Sequence, residues 1–365
     1  MKSHEALARQ RLDRGTALAR FALIGVVLAA VAGTFGYFGG WFTPNELTPA
    51  RLTDGFEYVD GVHSGFRRNH AKGVGVSGFF ESNGKGVRLS KAAVFRPGRV
   101  PVISRFSLSG GQPYVADMPD TVRGLALEFS LPDGERWRTA MINLPVFPVR
   151  TPEAFYERLI ASKPDPKTGK PDPAKMNAFL ARHPETMQAM TVIKGQAVSS
   201  GFDNSTFHSL NAFRFINSAG DSIPVRWLMT PAQPFEAAGS PSAARDRNYE
   251  FDALIAQIHR RPLRWHLVVI IGQQGDPTND AAIAWPEGRE KVDVGTLTLD
   301  RVESDETGAA TDINFDPLVL PAGIVSSDDP LLSARSAVYS RSFTRRAGET
   351  KQPSAITPTD VRKGE

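Results

Sequence analysis

Nine short runs in which apolar and polar residues alternate, spread between residues 73 and 302, constrain this chain more than any other feature. They read GVGVSGFFE (73–81), KAAVFR (91–96), VPVISRFSL (100–108), RGLALEFSL (123–131), RTAMINL (138–144), AFRFIN (212–217), IPVRWLM (223–229), RWHLVVIIG (264–272) and VGTLTLDRV (294–302). A period of two with Val, Ile and Phe on one parity suits a pleated strand that buries one face, and many such strands between turn residues close most economically into an antiparallel barrel. The expected fold is α+β: an antiparallel β-barrel of about eight strands with surrounding helices. Helical spacing appears at 153–161, 174–182, 186–197 and 248–260, the last with Phe251, Leu254, Ile255 and Ile258 three or four apart. Residues 162–175 (SKPDPKTGKPDPAK) are rich in Pro and Lys without an apolar period and read as an exposed loop.

The amino end carries a different signal. No charged residue lies between Arg20 and Glu46, and the stretch Phe21 to Phe42 is apolar enough and, at about 1.5 Å per residue, long enough to cross a hydrocarbon core of roughly 30 Å. Lys2, Arg9, Arg11, Arg14 and Arg20 precede it and only Arg51 stands close behind, so the positive-inside bias places residues 1–20 in the cytoplasm. Tyr37, Trp41 and Phe42 sit at the far end, where amphipathic rings favour the headgroup region. The rival reading is a signal peptide cleaved near Ala30-Val31-Ala32; apolar residues continue past that site, which favours an uncleaved anchor. The expected organisation is a cytoplasmic basic tail (1–20), an inner-membrane anchor crossing once (21–45), a periplasmic or otherwise extracytoplasmic body (46–346) and a disordered tail (347–365) whose apolar content has run out.

With no cysteine in 365 residues, disulfide frameworks, thiolate-held metals, covalently attached heme and cysteine nucleophiles are all excluded. Lys and Arg outnumber Asp and Glu by 43 to 39 with no long basic tract, which gives nucleic acid no footprint. The seven histidines form no HxH, HxxxH or HExxH pair of the kind that holds zinc. His70 is distinguished by Arg67 three residues before it and by the small Ala71, Gly73 and Gly75 after it, which let a flat ligand approach the backbone. Arg335 and Tyr339 lie four apart in DPLLSARSAVYSRSF, and on a helix that spacing sets a cation beside a phenol and favours its phenolate form. Taken singly, the histidine is an ordinary histidine and the tyrosine an ordinary tyrosine near a charge.

Together these segments resemble the heme-dependent catalase superfamily, specifically its short, catalase-related peroxidase branch, from about Val62 to Arg346. RRNHAKGVGVSGFFE (67–81) is similar to the family's segment around the distal histidine. SRFSLSGG (104–111) and DTVRGLALEF (120–129) resemble its next strand pair, and MINLPVFPVRTPEAF (141–155) its distal asparagine segment. FDPLVLPAGIVSSDDPLLSARSAVY (315–339) resembles the proximal segment and is the most specific match. The resemblance implies heme b as cofactor, with Tyr339 as the iron ligand and Arg335 stabilising its charge. It implies His70 as the proton carrier, Asn143 orienting the peroxide and Ser107 holding the His70 ring. Arg67, Arg105 and Arg346 would pair with the heme propionates, and Phe155 would stack on the macrocycle. Two departures stand out: Pro148 replaces a usual aromatic, and residues 340–345 replace a histidine-rich continuation. The chain also stops soon after the proximal segment, which implies a more open pocket. A peroxidase that reduces hydrogen peroxide or an organic hydroperoxide with a small organic reductant is then favoured over a true catalase. A membrane-tethered barrel that only binds heme or another apolar ligand, and an enzyme that rearranges lipid hydroperoxides, are the alternatives; a homo-oligomer is left open.

Overall fold

The computed structural model describes residues 14–38, 46–239 and 246–363. The chain divides after Thr48 into two units. In the first, α1 (Arg14–Phe38) runs for 25 residues, about 37 Å of helix. Its exposed Leu18, Phe21, Leu23, Ile24, Val26, Val27 and Leu28 go round the helix instead of forming a stripe, and the helix is long and apolar enough to cross a membrane. It begins earlier than the uncharged stretch and takes in Arg14 and Arg20. The remaining basic residues of the leader, together with Trp41 and Phe42, lie outside the described residues.

The body opens with α2 (Pro49–Asp60) and continues with β1 (Gly73–Ser82), β2 (Gly98–Leu108), β3 (Arg123–Ser130) and β4 (Arg136–Ile142), a meander of antiparallel neighbours. Three helices follow: α3 (Pro152–Ala161), α4 (Pro173–Arg182) and α5 (Pro184–Lys194). Each has proline in its first turn, where the missing N–H costs nothing. After β5 (Phe207–His208), β6 (Phe213–Ile216) and β7 (Ser222–Pro231) come α6 (Tyr249–Arg260), β8 (Leu263–Ile271), β9 (Lys291–Glu303), β10 (Ile324–Ser326), α7 (Pro330–Ala347) and α8 (Pro358–Val361). β7 pairs with β5 on one side and with β8 on the other, so β7, β5, β4, β3, β2, β1, β9 and β8 form a closed eight-stranded barrel. β6 and β10 extend from the free part of β7.

One parity of the strands fills the barrel. Phe80, Phe106, Phe129, Trp137, Trp227 and Trp265 are all buried, with Phe129 stacked on Trp137 at 4.7 Å and Phe106 against Trp265 at 5.7 Å. Each such side chain contributes on the order of 2 kcal/mol by leaving water. The interior is therefore packed with side chains. In β1 the register slips between Ser77 and Gly78, where a Cβ on Gly78 would lie 2.0 Å from the Thr298 carbonyl oxygen; only glycine fits that bulge.

The outward parity of β1 to β4 is what positions the site. Two rows cross the sheet in register, Gly75–Arg105–Ala126–Ala140 and Gly73–Ser107–Gly124–Ile142. Apart from the two functional side chains and Ile142, these rows are Gly and Ala, and they make a flat wall.

Several expectations need correction. KAAVFR is not a strand: Ala93–Phe95 is a short 3-10 turn whose three side chains are all buried. β5 and β10 escaped the pattern because two or three residues show no period. The carboxyl end past Arg346 is not a disordered tail. Ile356 and Val361 pack into the main core, His259 Nε2 is 2.7 Å from the Val361 oxygen, and Asn248 Nδ2 donates to the Ala355 oxygen at 3.1 Å. Two apolar residues at the right places suffice to anchor a segment whose average composition is polar.

Candidate active site

A cavity of about 350 Å³ lies against the flat outer wall of β2 to β4, closed by the loop 67–70, by α2 and α3, and by α7. His70 enters it in an unusual conformation, with φ at +56°. That left-handed backbone costs a non-glycine residue on the order of 1 kcal/mol or more, and neighbouring hydrogen bonds hold it. Arg105 Nη1 donates to the His70 oxygen at 2.8 Å, Ala71 N to the Gly110 oxygen at 3.0 Å, and both His70 N and Gly110 N to Asn69 Oδ1 at 2.9 Å. The ring stands with Nδ1 3.1 Å from Ser107 Oγ, and a Cβ on Gly124 would lie 3.1 Å from it, so Ser107 and Gly124 together set its place. Burial, and then the charges of Arg105, Arg335 and Arg67, push the His70 pKa down to about 3, so the imidazole is neutral at ordinary pH.

Beside His70, three guanidiniums gather around one carboxylate. Asp305 accepts from Arg105 Nε at 2.9 Å and from Nη2 at 2.6 Å. Arg67 donates through Nη2 to the Ala310 and Ile313 carbonyl oxygens, each at 3.0 Å, and Arg346 reaches the Ile313 oxygen at 3.5 Å. Burial alone would raise the Asp305 pKa, but Arg105, with Arg67 and Arg346 behind it, outweighs this and holds the carboxyl below its usual range. Burial and mutual repulsion lower Arg67 well below the ordinary value and bring Arg346 to about 10. Three cations against one anion leave a surplus of two positive charges.

Another wall is α7. Asp329 caps it by accepting from Leu331 N at 2.9 Å, Pro330 occupies its first turn, and the resulting register puts Arg335 and Tyr339 on the cavity side. The Arg335 carbon Cζ lies 6.0 Å from the Tyr339 ring centroid, as the spacing of four implies. Its hydrogen bonds go elsewhere: Nη1 to Asn211 Oδ1 at 2.5 Å and Nη2 to the Ala140 oxygen at 2.9 Å, while Asn211 Nδ2 donates to Asp329 Oδ2 at 2.8 Å. Thus Arg335 acts on the phenol as a fixed neighbouring charge. The same helix is strapped to the His70 loop. Arg68 N donates to Ser342 Oγ at 3.1 Å, the Arg68 guanidinium pairs with Glu57 at 2.6 Å and with Glu349, and Gly65 N donates to Glu349 Oε2 at 2.8 Å.

His70, Ser107, Arg67, Arg105, Arg335, Arg346, Phe155 and Tyr339 all line the one cavity. Phe155 lies nearly parallel to Phe147 at 5.8 Å, and Pro148 lines the cavity beside them. Asn143 is the exception. Its Oδ1 accepts from Arg123 N at 2.9 Å, its own N–H donates to the Arg123 oxygen at 3.0 Å, and it is Ile142 and Leu144 that line the cavity. In this structure the Asn143 amide serves the β3–β4 junction. Sequence reasoning missed Asp305, Asn211, Gly124 and Arg158, which also belong to the site. Only Gly124 carried a signal, as a glycine on the outward parity of a strand. Among the described residues no group of three or more His, Asp or Glu side chains could hold a metal ion by itself.

Comparisons with known proteins place the chain in a family. The family model described as Catalase matches residues 59–356. A catalase-related peroxidase of Synechococcus elongatus is 36% identical over 327 residues, covering 89% of this chain and 96% of the relative. A second of that name, from Mycolicibacterium paratuberculosis, is 31% identical and covers 83% of this chain and 96% of the relative. The catalase of Rattus norvegicus is 28% identical, but the matched region is only 59% of its length. Among solved structures, catalase A from Saccharomyces cerevisiae superposes with a TM-score of 0.69 at 22% identity, over 81% of this chain and 64% of that one, which is a likeness of fold.

Proposed function

This chain belongs to the catalase family, and from that premise we propose that it is a heme peroxidase of the catalase-related type, which uses Tyr339 and His70 to reduce a peroxide at the expense of a small organic donor. Three observations support the fit of a heme to these residues. The wall of Gly124, Ala126 and Ala140 leaves room for a flat ring. The surplus of two positive charges at Arg67, Arg105 and Arg346 matches two carboxylates. The cavity also offers a phenol, a hard oxygen donor of the kind that suits ferric iron, in a chain without cysteine. Heme b is the form we assign, since covalent attachment through cysteine is excluded.

When bound, heme iron supplies the redox chemistry, taking up two oxidising equivalents and passing them to the donor. The chain's own residues bind, orient and move protons. Tyr339 offers its oxygen to the iron, and Arg335, held by Asn211 and Ala140, keeps a positive charge beside it. Neutral His70 takes the proton of the incoming peroxide and returns it to the departing oxygen, so that water leaves instead of hydroxide. Ser107 fixes the ring at Nδ1 and so directs Nε2 to this task. Phe155 and Phe147 cover the apolar part of the slot. Asn143 keeps a part in this reading only if its amide leaves Arg123 when the cavity fills.

Similarity to two catalase-related peroxidases over 96% of their own length favours an organic donor over a second peroxide molecule. We assign α1 as an uncleaved anchor, with the leader in the cytoplasm and the body from residue 46 onward outside the inner membrane; its support is the length and apolar composition of that one helix.

The observation that carries the proposal is that Tyr339 and His70, distant in sequence, line one cavity beside an under-neutralised arginine cluster. The test is the absorption spectrum of the heme-loaded full-length protein before and after peroxide, with oxidation of guaiacol followed in parallel. Tyr339→Phe is expected to lose heme or to shift the ferric spectrum, since a phenyl ring cannot ligate iron. An unchanged ferric spectrum in that variant would remove Tyr339 from the role.

A further inference from the structure

Six arginines line the cavity (Arg67, Arg68, Arg105, Arg158, Arg335 and Arg346), and no aspartate or glutamate does. Five have partners: Arg105 has Asp305, Arg68 has Glu57 and Glu349, Arg335 has Asn211 and a carbonyl, and Arg67 and Arg346 have carbonyls. Arg158 is different. It stands on α3, whose Pro152, Phe155 and Arg158, three apart, face the cavity, and its guanidinium has no hydrogen bond or ion pair among the described residues. The one carboxylate next to it in sequence, Glu157, is committed to Arg182 at 2.9 Å and to His183 at 3.1 Å. Burial acts on Arg158 with nothing to offset it and lowers its pKa, yet a guanidinium stays charged at neutral pH. A half-buried cation that lines the cavity without a protein partner is free to pair with an incoming anion. Its neighbours on the lining from α2 and α3, Leu52, Phe56 and Phe155, are apolar.

We infer that Arg158 binds the carboxylate of an apolar organic co-substrate, so that the cavity selects apolar monocarboxylates over their neutral analogues. The planar fork of the guanidinium accepts a carboxylate through two parallel hydrogen bonds, and the apolar neighbours take the hydrocarbon part. This rests on the peroxidase reading, in which the arginine cluster around Asp305 is occupied by the cofactor's own carboxylates and Arg158 is left for the substrate. Two molecules could bring that carboxylate, the hydroperoxide or the donor. In the first case the O–O bond of the hydroperoxide breaks, its alcohol and one water form, and two molecules of phenolic donor each give up one hydrogen atom. In the second case hydrogen peroxide is reduced to two waters by two molecules of a carboxylated phenol.

The test uses the heme-loaded full-length protein, the substitutions Arg158→Gln, Arg158→Met and Arg158→Lys, and two readouts. Calorimetric titration compares benzoate with benzamide. Steady-state turnover compares linoleic acid hydroperoxide with its methyl ester, using guaiacol as donor, and 4-hydroxyphenylacetate with its methyl ester, using hydrogen peroxide. A charge-assisted pair predicts that benzoate binds the parent protein about 10-fold or more tightly than benzamide, that Gln and Met abolish this preference, and that Lys keeps part of it. The acid-to-ester ratio in kcat/KM is expected to fall in step, through KM, on whichever co-substrate carries the carboxylate. Equal binding of benzoate and benzamide by the parent protein, or a preference untouched in both Gln and Met, would overturn the assignment. Failure of the parent protein to oxidise guaiacol with hydrogen peroxide would instead sink the peroxidase reading, and the benzoate titration would still decide the role of Arg158.

Discussion

Replacing Asp305 with asparagine removes the carboxylate that is hydrogen-bonded to Arg105 and faces Arg67 and Arg346, while keeping its size. Breaking a buried ion pair by neutralising one partner costs about 3–5 kcal/mol. Three features move the expected cost to the low end. The Asp305 side chain is 14% exposed, Arg105 keeps its bonds to the His70 and Ala71 oxygens, and the asparagine oxygen can still accept one of the two guanidinium bonds. About 3 kcal/mol is the resulting figure for the heme-free protein, or a fall in Tm of roughly 4 to 5 °C for a body of this size. On the proposed reading, loading changes the balance, because two propionates would bring negative charge to the same three guanidiniums. The penalty should then shrink to about 1 kcal/mol, within the range of an ordinary charge-assisted bond. Thermal unfolding of parent and Asp305→Asn, each heme-free and heme-loaded, completes the cycle. An identical penalty in both states would mean that the cluster does not meet the cofactor's carboxylates, and a heme-free loss well under 1 kcal/mol would mean that Asp305 is not holding the cluster together.

Other expectations concern the histidine and the carboxyl end. Because His70 already titrates near 3 in the folded chain, peroxide turnover should show no inflection near pH 6.5 that depends on it; an inflection there in the parent protein that disappears in His70→Ala would contradict the depressed value. Between about pH 6.5 and 3 the unfolded chain takes up a proton that folded His70 refuses. Its stability contribution is therefore intact above pH 6.5 and is lost as pH falls through that window, by at most about 1.4 kcal/mol per pH unit, and denaturant titrations of parent and His70→Ala at several pH values should diverge there. Ending the chain at Gly348 removes Ile356 and Val361 from the core and Glu349 from Arg68, and should cost several kcal/mol. A truncated protein with an unchanged denaturation midpoint would show that the segment only rests on the surface.

How far the site could be read in the sequence follows from how local each cause is. The barrel strands declare themselves because burial alternates along them, so Val74 and Val76, or Leu125 and Leu127, mark the inward face without knowledge of their partners. KAAVFR has the same composition, but Ala93, Val94 and Phe95 are buried consecutively in a turn, which no alternation rule can foresee. Arg335 and Tyr339 were legible because one helix carries both. Asp305 and Arg105 meet across two hundred positions, and Asn211 meets Arg335 across more than a hundred, so nothing near either member announces the other. Asn143 shows the converse: its place in the chain suggested the cavity, while its side chain is drawn to the backbone of Arg123. Arg158 was passed over because an arginine on an amphipathic helix is ordinarily a solvated one.

The strap between Arg68, Glu57, Ser342 and Glu349 bears on how the molecule is assembled. It joins the segment that bears His70 to the helix that bears Tyr339 by contacts made entirely within the polypeptide, and its arginine is almost shut off from water. The gauge between imidazole and phenol is thus machined into the apoprotein, as the jaws of a vice are set before the workpiece is offered. A prosthetic group entering such a gap meets a finished seat and has little shaping of its own to do.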